Sequence, residues 1–192
     1  LPIFPGHGLR IGDDQHHELP ERHVGAIAVR GPSVMEGYFE DPDATSAAFH
    51  DGWLSTGDLG YLADGELFVC GRTKDLIIRQ GRKYFPPDLE SAIASIRGMA
   101  LAGVVVFGLT YPERPDQVVA VLEARAGQRP TDIEEQVRRR IRETAGLHLD
   151  RVILTPPGTI PRTTSGKVRR AETRARLVAG TLVRQVAAAA TD

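Results

Sequence analysis

Cysteine is nearly absent from this chain. Cys70 is the single one among 192 residues, so no internal disulfide can form, and a cytoplasmic setting is expected. An excess of charge is missing too. The formal net charge is −1, which gives no basic footprint for nucleic acid or an anionic membrane. No apolar run approaches the roughly 20 residues that a membrane-spanning helix needs. No Cys or His pair has the spacing of a zinc site, and His16 and His17 are simply adjacent. Internal repeats are absent. The start, Leu1-Pro2-Ile3-Phe4-Pro5-Gly6, has no charged region and no long apolar core. It reads as a cut through a longer protein rather than a signal peptide.

What is present divides into two styles. From Leu9 to about Arg72 the chain is rich in turns and short strands. Ala26-Ile27-Ala28-Val29 lies between Gly25 and Gly31-Pro32, which marks a strand between turn signals. Tyr61-Leu62 and Leu67-Phe68-Val69-Cys70 flank Ala63-Asp64-Gly65 and read as a hairpin. Asp43 to Phe49 suits a short helix. This part is too short and irregular for an independent domain.

From Asp75 onward, strands and helices alternate. Leu76-Ile77-Ile78 is a short apolar strand. Leu89, Ile93 and Ile96 recur at helical spacing after Pro86-Pro87, with Gly98 as the stop. Val104-Val105-Val106-Phe107 and Val118-Val119-Ala120-Val121-Leu122 are continuous apolar runs, the mark of strands covered on both faces. Thr131 and Glu134 have capping-box spacing behind Pro130. Ile133, Val137 and Ile141 line one helical face that Gly146 ends. Val152-Ile153-Leu154 is a further strand. A polar loop from Thr155 to Lys167 leads into a last helix that fades into Ala187 to Ala190. The expected fold is an α/β (α+β) domain preceded by a β-rich segment.

Three segments carry candidate chemistry. Ser55-Thr56-Gly57-Asp58 precedes a strand. Alone it fits a turn in which Asp58 bonds nearby amides, or a carboxylate that accepts from both hydroxyls of a ribose. Gly71-Arg72-Thr73-Lys74-Asp75 opens a glycine-punctuated basic stretch, and an arginine fork there suits phosphate or ribose oxygens. Pro161-Arg162-Thr163-Thr164-Ser165-Gly166-Lys167 is not a Walker A motif, because Pro161 stands where that motif needs a glycine and Val168 follows the lysine. It is either a flexible loop with a solvated lysine or a loop that carries Lys167 into an active site as a point charge.

Taken together these segments resemble the adenylate-forming superfamily of acyl-CoA synthetases, peptide-synthetase adenylation domains and luciferases. Gly31 to Tyr38 matches that family's G-x-x-V-x-x-G-Y segment, Ser55 to Asp58 its T-G-D, Gly71 to Glu90 its G-R-x-K-D-x-I…G…P…E, and Pro161 to Lys167 its P-x-T-x-S-G-K. The resemblance runs from about Gly6 to Arg170. It implies that residues 1–73 are the β-rich end of a large domain and residues 74–192 a small mobile carboxy-terminal domain. It implies that Asp58 binds the ribose of ATP and AMP, that Arg72 contacts ribose and phosphate, that Lys74 is the hinge, and that Lys167 bridges the acyl carboxylate and the α-phosphate. Mg²⁺ would arrive with ATP, held largely by phosphates and residues upstream.

Tyr84-Phe85-Pro86-Pro87-Asp88-Leu89 departs from the S-G-x-x-I-x-P-x-E form of many acyl-CoA synthetases and is most similar to fatty acyl-AMP ligases. That group implies a fatty or other carboxylic acid as substrate and an acyl carrier protein or CoA as acceptor. The family's phosphate loop, adenine segment and acyl pocket would precede Leu1, so this stretch alone is expected to be inactive. The competing expectations are a non-catalytic module that docks a carrier protein or regulates a partner, and, more weakly, a nucleotide-binding regulator.

Overall fold

The computed structural model describes residues 6–113, 115–125 and 129–182. Its contacts divide the chain into two compact units, Leu1–Lys74 and Asp75–Asp192. Among the described residues, no helix is long and apolar enough to cross a membrane.

The first unit is an antiparallel sheet. Its elements are β1 (Gly8–Gly12), β2 (Gly25–Arg30), α1 (Pro42–Ala48), β3 (Phe49–His50), β4 (Trp53–Ala63) and β5 (Glu66–Arg72). β4 is the organiser: it pairs with β2, with β3 at its start and with β5 at its end. Asp64 and Gly65, at φ 51° and 78°, turn β4 into β5 with two residues. Positive φ at both positions matches the right-handed twist of the two strands. Asp41 caps α1 by accepting from the Ala44 amide at 2.9 Å. Trp53 lies between the guanidinium groups of Arg10 and Arg30, 4.6 and 4.5 Å from its ring centroid. Among the described residues, the unit's buried apolar side chains are only Ile11, Ile27 and Ala63, while Phe39, Phe68 and Val69 stay exposed.

The second unit holds a core of its own. A 3₁₀ turn (Thr73–Asp75) leads to β6 (Ile77–Arg79), β7 (Arg82–Tyr84), α2 (Pro86–Ala94), β8 (Leu101–Leu109), β9 (Gln117–Ala124), α3 (Pro130–Ala145), β10 (Arg151–Thr155) and α4 (Arg170–Val178). The sheet order is β10-β9-β8, with β10 parallel and β8 antiparallel to β9. α3 is the crossover that a parallel pair requires. The apolar runs are covered on both faces as expected. Val106, Val118, Ala120 and Leu122 pack with Leu89 and Ile93 of α2 and Ile133, Val137 and Ile141 of α3. Val105, Phe107, Val119 and Val121 alternate to the opposite face and meet Ile160 and Leu182. The fold is therefore mixed α+β, as the sequence led us to expect.

Local expectations fail in three places. The first turn of α3 is not a capping box: Arg129 is the N-cap and no side chain caps the helix. Pro130 starts the helix one residue earlier, which places Thr131 inside it. α2 stops at Ala94 with Ser95 as its C-cap, so Ile96 packs on the core from beyond the helix rather than from its face. The short helix placed at Asp43 to Phe49 begins at Pro42, and Phe49 already pairs as strand. The fade of the last helix into Ala187 to Ala190 lies outside the described residues.

Candidate functional site

Ser55 to Asp58 does not precede a strand. It interrupts one. Ala26 of β2 pairs with Leu59 and Ala28 with Ser55, so β4 takes four steps where β2 takes two. Gly57 absorbs this bulge at φ 73°, a conformation that costs a residue with a Cβ. The bulge leaves the Ile27 carbonyl without its ladder partner. The Thr56 hydroxyl donates to it at 2.9 Å and accepts from the Asp58 amide at 3.1 Å. Thr-Gly-Asp is thus a closed local unit: the glycine supplies the bend, the threonine repairs the ladder, and the aspartate projects from the kink.

Asp58 sits directly opposite Arg72 in the β4–β5 register. Arg72 Nε lies 3.2 Å from Asp58 Oδ1, and the two side chains are 58% and 35% exposed respectively. That exposure decides the meaning of the pair. An ion pair so wetted contributes little stability, and its free carboxylate oxygen and guanidinium nitrogens remain open to a ligand. The structure brings together two residues that the sequence suggested separately. Lys74 is exposed in the 3₁₀ turn, next to the division between the units.

Lys167 lies in the second unit on a turn closed by its own hydrogen bonds. Arg162 and Val168 form an antiparallel bridge. Inside it, the Thr163 amide donates to the Lys167 carbonyl at 2.8 Å and the Gly166 amide to the Thr163 carbonyl at 2.9 Å. The Thr163 hydroxyl lies 2.9 Å from that of Ser165 and accepts from the Lys167 amide at 3.1 Å. Below the bridge, the Arg169 amide donates to the Pro161 carbonyl at 2.8 Å. The segment from Pro161 to Arg169, read from the sequence as a polar loop, is a small hydrogen-bonded hairpin. The Lys167 side chain is exposed and has no hydrogen-bond or ion-pair partner among the described residues.

Behind this hairpin a second cluster ties the unit's elements together. Arg170, at the start of α4, donates to both Glu90 oxygens at 2.7 and 2.9 Å, to Asp75 at 2.9 Å and to the Val106 carbonyl at 3.1 Å. The Val106 amide in turn donates to Glu90 at 2.9 Å. Burial pushes the Glu90 carboxyl above its ordinary range, against the opposing pull of Arg170 and the Val106 amide. Burial alone would lower Arg170, but Glu90 and Asp75 reverse that and hold it protonated. Asp75 and Glu90 fall on lettered positions of the matched motif, but nothing in the local sequence signals that they meet Arg170, which lies far along the chain.

Among the described residues, no group of three or more His, Cys, Asp or Glu side chains could hold a metal ion. The resemblance would have magnesium held by phosphates and residues upstream, and the described residues add no such group of their own.

The model of the Disco-interacting protein 2-like AMP domain matches residues 74–186. A protein of Caulobacter vibrioides that carries the provisional name acyl-CoA synthetase is 40% identical over 94% of this chain and 32% of its own length. The long-chain-fatty-acid–AMP ligase FadD26 of Mycobacterium marinum is 35% identical over 80% of this chain and 29% of its own length. A solved structure from studies of fatty acyl-adenylate ligases of E. coli and L. pneumophila matches with a TM-score of 0.77 and 36% identity, over 92% of this chain and 32% of that one. The chain thus spans about a third of the length of these curated relatives.

Proposed function

Because the chain belongs to the Disco-interacting protein 2-like AMP-domain family of the adenylate-forming superfamily, we propose that it is the carboxy-terminal part of an acyl-AMP-forming ligase. The ligase activates a carboxylic acid, most suitably a fatty acid, with ATP. The acyl group then passes to the thiol of an acyl carrier protein or of CoA, in the cytoplasm. The names of the fatty-acid–AMP ligase relative and of the fatty acyl-adenylate ligase structure support the fatty substrate.

In this reading the acid's carboxylate attacks the α-phosphorus of ATP. A P–O bond forms to the acyl oxygen and the bond to pyrophosphate breaks. A thiol then attacks the acyl carbon and releases AMP. Asp58 accepts from the ribose hydroxyls, Arg72 contacts ribose and phosphate, and Lys74 is the hinge. Lys167 stands between two anions that must meet, and its charge offsets their repulsion as the reaction proceeds. Residues 1–73 are the end of a larger domain and 74–192 a small mobile one. The scant buried core and exposed Phe39, Phe68 and Val69 of the first unit support that division, as does the contact boundary beside Lys74.

The observation that carries the reading is the Lys167 ammonium, presented without a counter-ion on a hydrogen-bonded hairpin. With its backbone tied by these hydrogen bonds, the turn is suited to delivering its lysine by motion of the whole unit. In the full-length protein, Lys167→Ala should slow acyl-AMP formation by about 10²–10³, the cost of one preorganised electrostatic donor. Thioester formation from pre-made acyl-AMP should be spared. Pyrophosphate release and acyl transfer measure the two steps separately, and an equal loss in both would remove Lys167 from the first.

A further inference from the structure

A buried carboxylate stands behind the Lys167 hairpin, and the site described above makes no use of it. Glu123 lies near the end of β9 and is 1% exposed. One oxygen accepts from the Ile160 amide at 2.7 Å, where the chain enters the hairpin. The other lies 3.3 Å from Arg162 Nη2. Arg162 is itself the residue that bridges to Val168 and closes the turn. Its guanidinium also donates to the Gly166 carbonyl at 3.4 Å, inside the turn, and to the Ala102 carbonyl at 3.3 Å.

Two features of β8 exist to admit this pair. Leu101 pairs with Ala124 and Gly103 with Glu123, so Ala102 is an extra residue in β8. Such a bulge unhooks a carbonyl from the ladder, and Arg162 takes up the one at Ala102. Beside it, a Cβ on Gly103 would lie 2.5 Å from both Arg162 Nη2 and Glu123 Oε2, closer than any stable contact allows. A side chain there would push the ends of Arg162 and Glu123 away from where they now meet.

We propose that Glu123, Arg162 and Gly103 form a clamp that fixes the Lys167 hairpin to the sheet, and that Glu123 and Arg162 are positioning residues for acyl-adenylate formation. The inference rests on Lys167 being the adenylation lysine. An ammonium meant to bridge two approaching anions must be held to within a fraction of an ångström, and the contact of buried Glu123 with Arg162, whose side chain is 36% exposed, supplies that constraint at the base of the turn. Losing Arg162 leaves the buried Glu123 carboxylate without its cation, and losing the Glu123 charge frees Arg162 to turn to solvent, so in both cases the hairpin should loosen.

The test uses Glu123→Gln, Arg162→Lys and Gly103→Ala in the full-length protein, with Lys167→Ala alongside. Each clamp variant should slow pyrophosphate release, by up to the order of 10²-fold for a misplacement of about 1 Å. Each should leave thioester formation from pre-made acyl-AMP within about twofold of wild type. Hydrogen exchange over residues 161–169 should quicken while β9 and α3 stay protected. A purely structural role would lower both half-reactions together and open β9 as well, and that result overturns the proposal. So does unchanged pyrophosphate release in all three variants. Arg162→Lys keeps the charge and carries the comparison if Glu123→Gln does not fold. Normal adenylation in Lys167→Ala would instead sink the functional reading and this inference together. A loss confined to Lys167→Ala would sink the inference alone.

Discussion

Asp58 is held by a bulge rather than by a network. Its own amide is satisfied by Thr56, and its carboxylate meets only the half-exposed Arg72. Replacing it should therefore cost the fold little and the ligand much. In the full-length protein, Asp58→Ala should raise the KM for ATP by an amount equivalent to roughly 1.5–3 kcal/mol, the cost of hydrogen bonds to a charged group. The melting temperature should barely move. ATP titration of the adenylation step checks the first, and a thermal melt the second. A normal KM would take Asp58 out of the site. For Lys167 the hairpin sharpens an expectation about substitution: with the backbone fixed, a planar guanidinium cannot reproduce a compact ammonium at the same point. Lys167→Arg should recover little of the adenylation rate lost in Lys167→Ala.

At the scale of elements, Arg170 joins α4 to α2, to β8 and to Asp75 at the end of the 3₁₀ turn. Its Nη2, which meets both Glu90 oxygens, makes with them the kind of pair in which burial and attraction compete. Glu90 is raised, chiefly by burial. An acid whose pKa is higher in the folded chain binds protons more readily there. It therefore favours folding most at low pH, and that contribution is lost as pH rises through its folded pKa. Stability of wild type relative to Glu90→Gln should thus decline as pH climbs from the ordinary glutamate range. Urea unfolding at a series of pH values measures it; a rise instead would mean that Arg170 outweighs burial. The apolar contacts of α3 are less ambiguous. Ile141 is fully buried against the sheet, and Ile141→Ala should cost about 2–5 kcal/mol by the same measurement.

For the whole molecule, the two units differ in what they can sustain. The unit from Asp75 has a sheet covered on both faces, so a chain starting at Asp75 should unfold cooperatively alone. A chain ending at Lys74, with Ile11, Ile27 and Ala63 as its buried apolar residues among those described, should show no sharp transition. Urea titration of the two halves decides both. Much of this architecture was legible in the sequence. Asp64-Gly65 announced its hairpin, the apolar runs of β8 and β9 announced a doubly covered sheet, and Gly146 announced the end of α3. Each of those signals lies among near neighbours, where backbone geometry is set by a few residues; the motif spacing likewise picked out Asp58, Arg72 and Lys167 as candidates, whose roles the proposed experiments decide. The capping-box spacing at Thr131 misled because Pro130 fits the first helical position itself, which makes Arg129 the cap. The rest was decided only by tertiary structure. Glu123 and Arg162 are 39 residues apart, and Glu90 and Arg170 are 80 apart. Whether such charges meet depends on how the sheet and helices pack, and chain spacing carries no record of that. The sequence could name the lysine, but the bulge at Ala102, the gap at Gly103 and the buried carboxylate that steady it came into being only when the strands paired.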